Sequence, residues 1–426
     1  MERTTIDAAT SEATSRRILF YSHDGTGLGH LRITLGVARA YAQRRPDDSL
    51  LLLTGSLQTG AFDIPANLDF VKMPAMPKRD IYATLPPTEG FTGAHNSTIR
   101  FRAAIAQAAI EGYDPHLIVV DHAPHGLFQE LAPAFSAMRC RGFRPYFALL
   151  MRDVTFGPEQ TRHIWTNEEV YPLLESWYDR ILVYGDRGVF DPVAAYGMSE
   201  TTAARTRFCG YLEPEAPRRS AVDVRQSLGA EDKPLVVVST GGGADGGTML
   251  KAFLSGLRER KGKPLTAYVV TGPLLSEDQQ AELADLATGI ADLKLTRFDP
   301  DFAAAVRAAD VVVSMGGYNS LVEAVHFGKR PIVVPRVPGP EEQLLRAEGF
   351  ARRGLATLLR PEALSPQSLW SAIDAELGCA STRGASLPFG GLDAIAEELD
   401  RLVRGGISPF AEEATVATTP ASGHQT

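Results

Sequence analysis

The sequence predicts an α/β protein of two lobes, each a parallel sheet covered on both faces by helices. Short apolar runs alternate with helix-period segments through both halves, the pattern of repeated strand-helix-strand units. At 426 residues with 44% hydrophobic content, the chain exceeds the size at which one core stops growing, so two domains of about 200 residues are expected. Each half also opens with a glycine-rich loop placed directly after its first strand candidate.

Residues 1–15 are polar, lack the apolar run of a secretory leader, and are expected to form a disordered N-terminus. The N-terminal lobe, 16–212, supplies the strand candidates RILFYS, SLLLLT, HLIVVD, YFALLM and RILVYG. An irregular stretch from Lys72 to Ser97, with four prolines, interrupts it and fits either acceptor binding or simple mobility. Two prolines and weak periodicity mark 213–220 as a linker. The second lobe, 221–388, restarts with PLVVVST, LTAYVVTG, LKLTRF, DVVVS and RPIVVP. A helix over 389–409 is expected to pack back on the N-terminal lobe, and 410–426 reads as a disordered tail.

A formal charge of -8 argues against a partner held by phosphate neutralisation, so nucleic acid is not expected. No run of about 18 apolar residues offers a transmembrane segment. Cys140, Cys209 and Cys379 match no metal or redox spacing and suit a reducing compartment, so the expected location is cytoplasmic. Nothing in the sequence sets an oligomeric state.

HDGTGLGH, His23 to His30, forms a strand-to-helix turn in which Gly25, Gly27 and Gly29 let backbone N–H groups approach a ligand. Its spacing is not the dinucleotide pattern, which disfavours a nicotinamide dehydrogenase. STGGGADGG, Ser239 to Gly247, repeats the arrangement in the second lobe and lacks the Gly-Lys-Ser/Thr ending of a phosphate-hydrolysing loop. In the segment from Ala309 to Gly349, a strand ends at Ser314, Gly316 and Gly317 turn the chain, and a helix beginning near Ser320 suits a diphosphate. Glu323 in its first turn can accept hydrogen bonds from two ribose hydroxyls, or with Ser320 form a capping box that only satisfies backbone donors.

These segments resemble a family. The run from Ser314 through Gly317 to Glu323, then Pro331 to Pro335 and Glu342-Gln343, is similar to the C-terminal signature of the MurG-like glycosyltransferases, and HDGTGLGH resembles that family's opening glycine loop. MGGYNS, DHAPHG and MRDV resemble a little-described branch of predicted bacterial glycosyltransferases. The resemblance implies the GT-B fold, in which two Rossmann-like lobes with parallel sheets face a cleft. It also implies transfer of a hexose or N-acetylhexosamine from a nucleotide-sugar, a UDP-sugar, to a hydroxyl of a small-molecule or lipid-linked acceptor. Such transfer is expected to be inverting, metal-independent and without a cofactor, the nucleotide-sugar being a co-substrate.

Carried over by position, Glu323 would hold the donor ribose, and Glu342 and Gln343 would face the donor sugar. Gly241, Gly242 and Gly243, with Gly316 and Gly317, would contact the diphosphate, flanked by Thr240, Ser314, Asn319 and Ser320. Phe298 would sit where the family closes over the base. Glu341-Glu342-Gln343 stands where the family usually has Asp-His-Gln or Asp-Gln.

Inverting transfer needs a base for the acceptor proton and a cradle for the departing diphosphate. His30 is the first candidate base, against a reading in which it caps the following helix or donates to a phosphate. Asp121 and His122, at the end of HLIVVD, could orient or replace it. Gly27 and Gly29 belong to the same loop. Spacing permits a metal on Asp121, His122 and His125, but loop placement near an acceptor explains them better, and no metal site is expected. Asp299 and Asp301 read as helix capping. Arg152 and Asp153 read as an ion pair shaping the cleft, with Arg152 able to reach a phosphate. Two other readings stay open: a sugar-nucleotide 2-epimerase, and a non-catalytic nucleotide-sugar-binding subunit.

Overall fold

The computed structural model describes residues 15–23, 29–76, 94–242, 245–336, 341–379 and 386–404. Gly27, Gly243 and 77–93 of the proline-rich stretch lie outside them, as do 1–14 of the N-terminal end and the tail 410–426 assigned to disorder.

Two parallel sheets organise the chain. The first is built from β1 (Arg17–Tyr21), β2 (Ser49–Thr54), β3 (Leu68–Lys72), β4 (Leu117–Asp121), β5 (Tyr146–Arg152), β6 (Arg180–Tyr184) and β7 (Thr206–Phe208), in the order β3-β2-β1-β4-β5-β6-β7. The second contains β8 (Leu235–Ser239), β9 (Thr266–Val270), β10 (Leu293–Thr296), β11 (Val311–Ser314), β12 (Ile332–Val333) and β13 (Thr357–Leu358), in the order β10-β9-β8-β11-β12-β13. The chain divides into two compact units. One comprises Met1–Leu150, Ser176–Arg180 and Ile395–Thr426; the other comprises Met151–Glu175 and Ile181–Ala394.

Central strands are apolar on both faces because helices cover both. In β8, Val236 and Val238 pack with Leu250, Phe253, Trp370 and Ile373, while Leu235 and Val237 pack with Ala304, Ala305 and Val312 on the other face. Alternate residues of a strand point to opposite faces, so a strand buried on both reads as an unbroken apolar run. Such runs made β1, β4, β8 and β11 visible in the sequence. β3, β7 and β13 were not anticipated. All three lie at sheet edges, where fewer positions are buried, as in the largely exposed LDFVK of β3.

From Ile395 onward the helix Gly391–Arg404 belongs to the first unit, where it buries Ile395, Leu399 and Leu402 and pairs its charges. Asp400 accepts both Arg45 Nε and Nη2 at 2.6 Å, and Arg404 Nη2 reaches Asp48 at 2.5 Å. In the second unit, Asp299 and Asp301 do not cap the helix Phe302–Ala308: Asp301 stands at its N-cap but makes no capping bond. Both grip Arg219 at the end of the linker, and Asp301 accepts the backbone N–H groups of Arg218 and Arg219. Burial works to raise the Asp301 pKa, but these donors outweigh it and leave the carboxyl below its usual value. Among the described residues, no helix is long and apolar enough to cross a membrane.

Candidate active site

Both sheets reverse strand order at the centre, between β1 and β4 and between β8 and β11. Loops leaving the carboxyl ends of strands at such a reversal diverge and open a crevice, the usual ligand position in open α/β sheets.

In the first unit, β1 leads to His23 and β4 ends in Asp121, followed by His122. Asp121 is fully buried. Its Oδ2 lies 2.8 Å from His30 Nδ1 and accepts the His23 backbone N–H at 3.3 Å. Asp121 therefore engages one ring nitrogen of His30 and fixes the orientation of the ring. The rings of His23, His30 and His122 lie 5.0–5.1 Å apart, centroid to centroid. His23 was not anticipated as a neighbour of His122, because only the strand order brings them together. Gly29 and His30 open the helix Gly29–Arg44.

His122 has φ +68°, a left-handed conformation that costs a non-glycine residue on the order of 1–3 kcal/mol. The loop beyond it is pinned from below. Tyr21 accepts the Leu127 N–H at 2.7 Å and donates to Glu130 at 2.5 Å, while Arg102 holds both Glu130 oxygens at 2.6 and 2.7 Å. Burial, with Glu130 alongside, raises the Tyr21 pKa well above the phenol range and keeps it a neutral donor. Gly126, at φ +74°, has no room for a side chain, since a Cβ would meet Leu131 Cγ at 2.8 Å. His125 stands edge-on to Phe135 rather than with the other imidazoles. Among the described residues, no group of three or more His, Cys, Asp or Glu is arranged to hold a metal ion.

In the second unit, Ser239 and Ser314 are register partners, so the glycine turns after β8 and β11 lie side by side. Thr240 donates to Thr271 O at 2.6 Å, and the Gly241 N–H donates to Ser239 Oγ at 3.1 Å. The Gly242 carbonyl accepts the Leu274 N–H at 2.9 Å. The helix Gly247–Glu259 follows. In the second turn Gly316, at φ +80°, lies against β12: a Cβ there would meet Val333 Cγ1 at 2.7 Å.

The next helix, Tyr318–His326, has Gly317 as its N-cap and no side-chain cap. This corrects the expected start near Ser320. Ser320 and the exposed Asn319 lie within the first turn, and Glu323 one turn further in, so Ser320 and Glu323 form no capping box. The backbone enters the helix two residues early because glycine supplies the turn. Phe298, just beyond β10, is 59% exposed.

Arg152 and Asp153 do not pair with each other. Asp153 is fully buried against the equally buried Arg346, whose Nε and Nη2 both reach Oδ1 at 3.0 Å. Nη1 of Arg346 donates to Gly316 O at 3.3 Å, tying this pair to the second glycine turn. Burial would lower the Arg346 pKa, but Asp153 outweighs it and keeps the guanidinium charged. Arg152 instead faces Glu342, 3.9 Å away, and stands over the Tyr318 ring. Glu342 is held closely by Arg336 Nη2 at 2.7 Å, and Gln343 accepts the Arg336 backbone N–H at 3.1 Å. Nothing in the spacing of the sequence singled out Arg336.

Residues 236–381 match the Glycosyltransferase family 28 C-terminal domain. The chain is 29% identical over 161 residues to an uncharacterized glycosyltransferase of Methanopyrus kandleri, covering 38% of this chain and 42% of that protein. It is 28% identical over 186 residues to the UDP-N-acetylglucosamine--N-acetylmuramyl-(pentapeptide) pyrophosphoryl-undecaprenol N-acetylglucosamine transferase of Exiguobacterium sibiricum, covering 43% of this chain and 50% of that one. The chain thus spans about half the length of the relatives it matches. Among solved structures, MurG of Acinetobacter baumannii superposes with a TM-score of 0.56 at 14% identity, over 91% of this chain and 99% of that one. Strand order, paired glycine turns and these likenesses agree: the chain has the two-lobed GT-B fold seen in MurG, its residues 236–381 belong to the family 28 glycosyltransferase C-terminal domains, and it is similar to the MurG-like glycosyltransferases.

Proposed function

We propose that this chain transfers a hexose or N-acetylhexosamine from a UDP-sugar to an acceptor hydroxyl in the cytoplasm, with inversion and without a metal ion. The observation that supports it most is the register pairing of Ser239 with Ser314. It sets two glycine turns, each leading into a helix N-terminus, side by side at the strand-order reversal. Such a pair suits a diphosphate, which is the leaving group of this reaction. Glu323 is assigned the ribose hydroxyls, Phe298 the base, and Glu342 with Gln343 the sugar.

The buried Asp121 orients His30, which takes the proton of the acceptor hydroxyl as its oxygen attacks the anomeric carbon. The bond from that carbon to the diphosphate oxygen breaks, and UDP departs with the electron pair. The lipid-carried substrate in the name of the Exiguobacterium relative supports a lipid-linked acceptor.

A thermal-shift panel of nucleotides and nucleotide-sugars, followed by product analysis, tests the reading. A ligand at a hundred times its Kd adds about 2.7 kcal/mol of stability. UDP-sugar binding with release of UDP and a glycosylated acceptor supports transfer. An epimerised donor would make the chain a 2-epimerase, and saturable binding without turnover would make it a binding subunit.

A further inference from the structure

Arg336 follows β12 at the carboxyl edge of the second sheet, beside the paired glycine turns. It touches both sides of that edge: Nη1 lies 3.4 Å from Asp245 Oδ2 in the first glycine loop, and Nη2 lies 2.7 Å from Glu342 Oε1 at the start of the helix Glu342–Arg352. Its Nε is buried and has no hydrogen-bond partner among the described residues. Glu342 is therefore held by one close arginine and faced by a second, Arg152, at 3.9 Å.

An arginine presents five donors in a planar fork shaped for carboxylate or phosphate, and it is not easily neutralised. Two arginines converge on Glu342, and of the two carboxylates at Arg336 only Glu342 is close, Asp245 lying at 3.4 Å, so a diphosphate, with more charge than either, can compete for the guanidinium. We infer that Arg336 is a diphosphate-binding residue, and that the Glu342 carboxylate occupies its guanidinium until the donor displaces it. This rests on the nucleotide-sugar reading above and extends it. The donor's phosphates take the Nη2 position and the vacant Nε donor, and Glu342 is released toward the sugar hydroxyls. One exchange thus couples filling of the phosphate position to delivery of a sugar ligand. It also assigns Glu342 opposite effects on two ligands. For UDP, which has no sugar to contact, Glu342 is only a competitor; for UDP-sugar it is both competitor and ligand.

Calorimetric titration of the full chain with inorganic pyrophosphate, UDP, UDP-N-acetylglucosamine and uridine, each at low salt, tests this. Arg336→Gln should weaken pyrophosphate and UDP by about tenfold or more and leave uridine unchanged, with Arg336→Lys in between. Glu342→Gln should tighten UDP several-fold while narrowing or reversing the advantage of the UDP-sugar over UDP. Thermal melts of the free variants establish that they are folded. UDP binding unchanged in Arg336→Gln would overturn the inference and leave the nucleotide-sugar reading standing. So would equal weakening of UDP by Glu342→Gln, since Glu342 would then be a support for Arg336 rather than its occupant. Should the wild type bind no nucleotide yet hold pyrophosphate through Arg336, the inference would stand and the nucleotide reading would fall.

Discussion

His30 Nδ1 lies 2.8 Å from Oδ2 of Asp121, a fully buried carboxylate at the end of β4. The contact fixes the orientation of the ring, as the base role proposed for His30 requires. His30→Ala is expected to slow transfer by about 10² or more while UDP affinity stays within a few-fold. Asp121→Asn keeps the shape but removes the charge, and should reproduce most of that loss. Parallel loss of UDP affinity in His30→Ala, measured by titration, would move His30 to the phosphate cradle.

Glu323 lies one turn inside its helix, past the N-cap position that Gly317 occupies. Glu323→Gln should leave thermal stability nearly unchanged and weaken UDP by about 1.5–3 kcal/mol, roughly ten- to a hundred-fold in Kd. The variant should also lose most of the wild-type preference for UDP over its 2′-deoxy and 3′-deoxy analogues. Equal affinities in wild type and variant would exclude Glu323 from the ribose.

Activity is expected to survive chelation. On the proposed reading, the helix N-termini after the two glycine turns, with Arg336, take the place of the divalent cation that other transferases use at the leaving diphosphate. Initial rates with and without EDTA decide it. Loss of turnover restored by magnesium or manganese would require a metal.

The Asp400 carboxyl carries a pH dependence of defined sign. Burial acts to raise its pKa, but Arg45, Arg44 and Arg404 outweigh burial and leave it below the usual value. A depressed folded-state pKa contributes stability that is present above the unfolded value, about 3.9 for Asp, and lost as pH falls through the folded one. Thermal melts of wild type and Asp400→Asn should therefore differ most near neutral pH and converge in acid. A difference constant down to pH values of about 3 would mean that the charge of Asp400 contributes nothing.

The fold was largely legible because the central strands are buried on both faces and write themselves as runs such as LVVVS and LIVVD. The glycine turns were legible for a related reason: few other residues tolerate the φ of Gly241 or Gly316. Partners separated by long stretches of chain were not. Asp153 finds Arg346 rather than its neighbour Arg152, and His23 meets His122 only after β1 and β4 have paired. No local periodicity encodes such choices. The start of the helix at Tyr318 was misplaced because Ser320 and Glu323 carry a capping signal that the preceding glycines override.

The strand-order reversal also bears on how the protein acquires its sites. β1 pairs with β4, Ile18 meeting Leu117, and β8 pairs with β11, Val236 meeting Val311. Each crevice thus opens at the seam of longest sequence separation in the centre of its sheet, where loop closure is costly and non-local pairing is slow. Hairpin-like local order cannot assemble either site ahead of the sheet. During refolding, nucleotide binding should therefore return after most helical signal has recovered, and the regain of binding would time the closing of the β8–β11 seam.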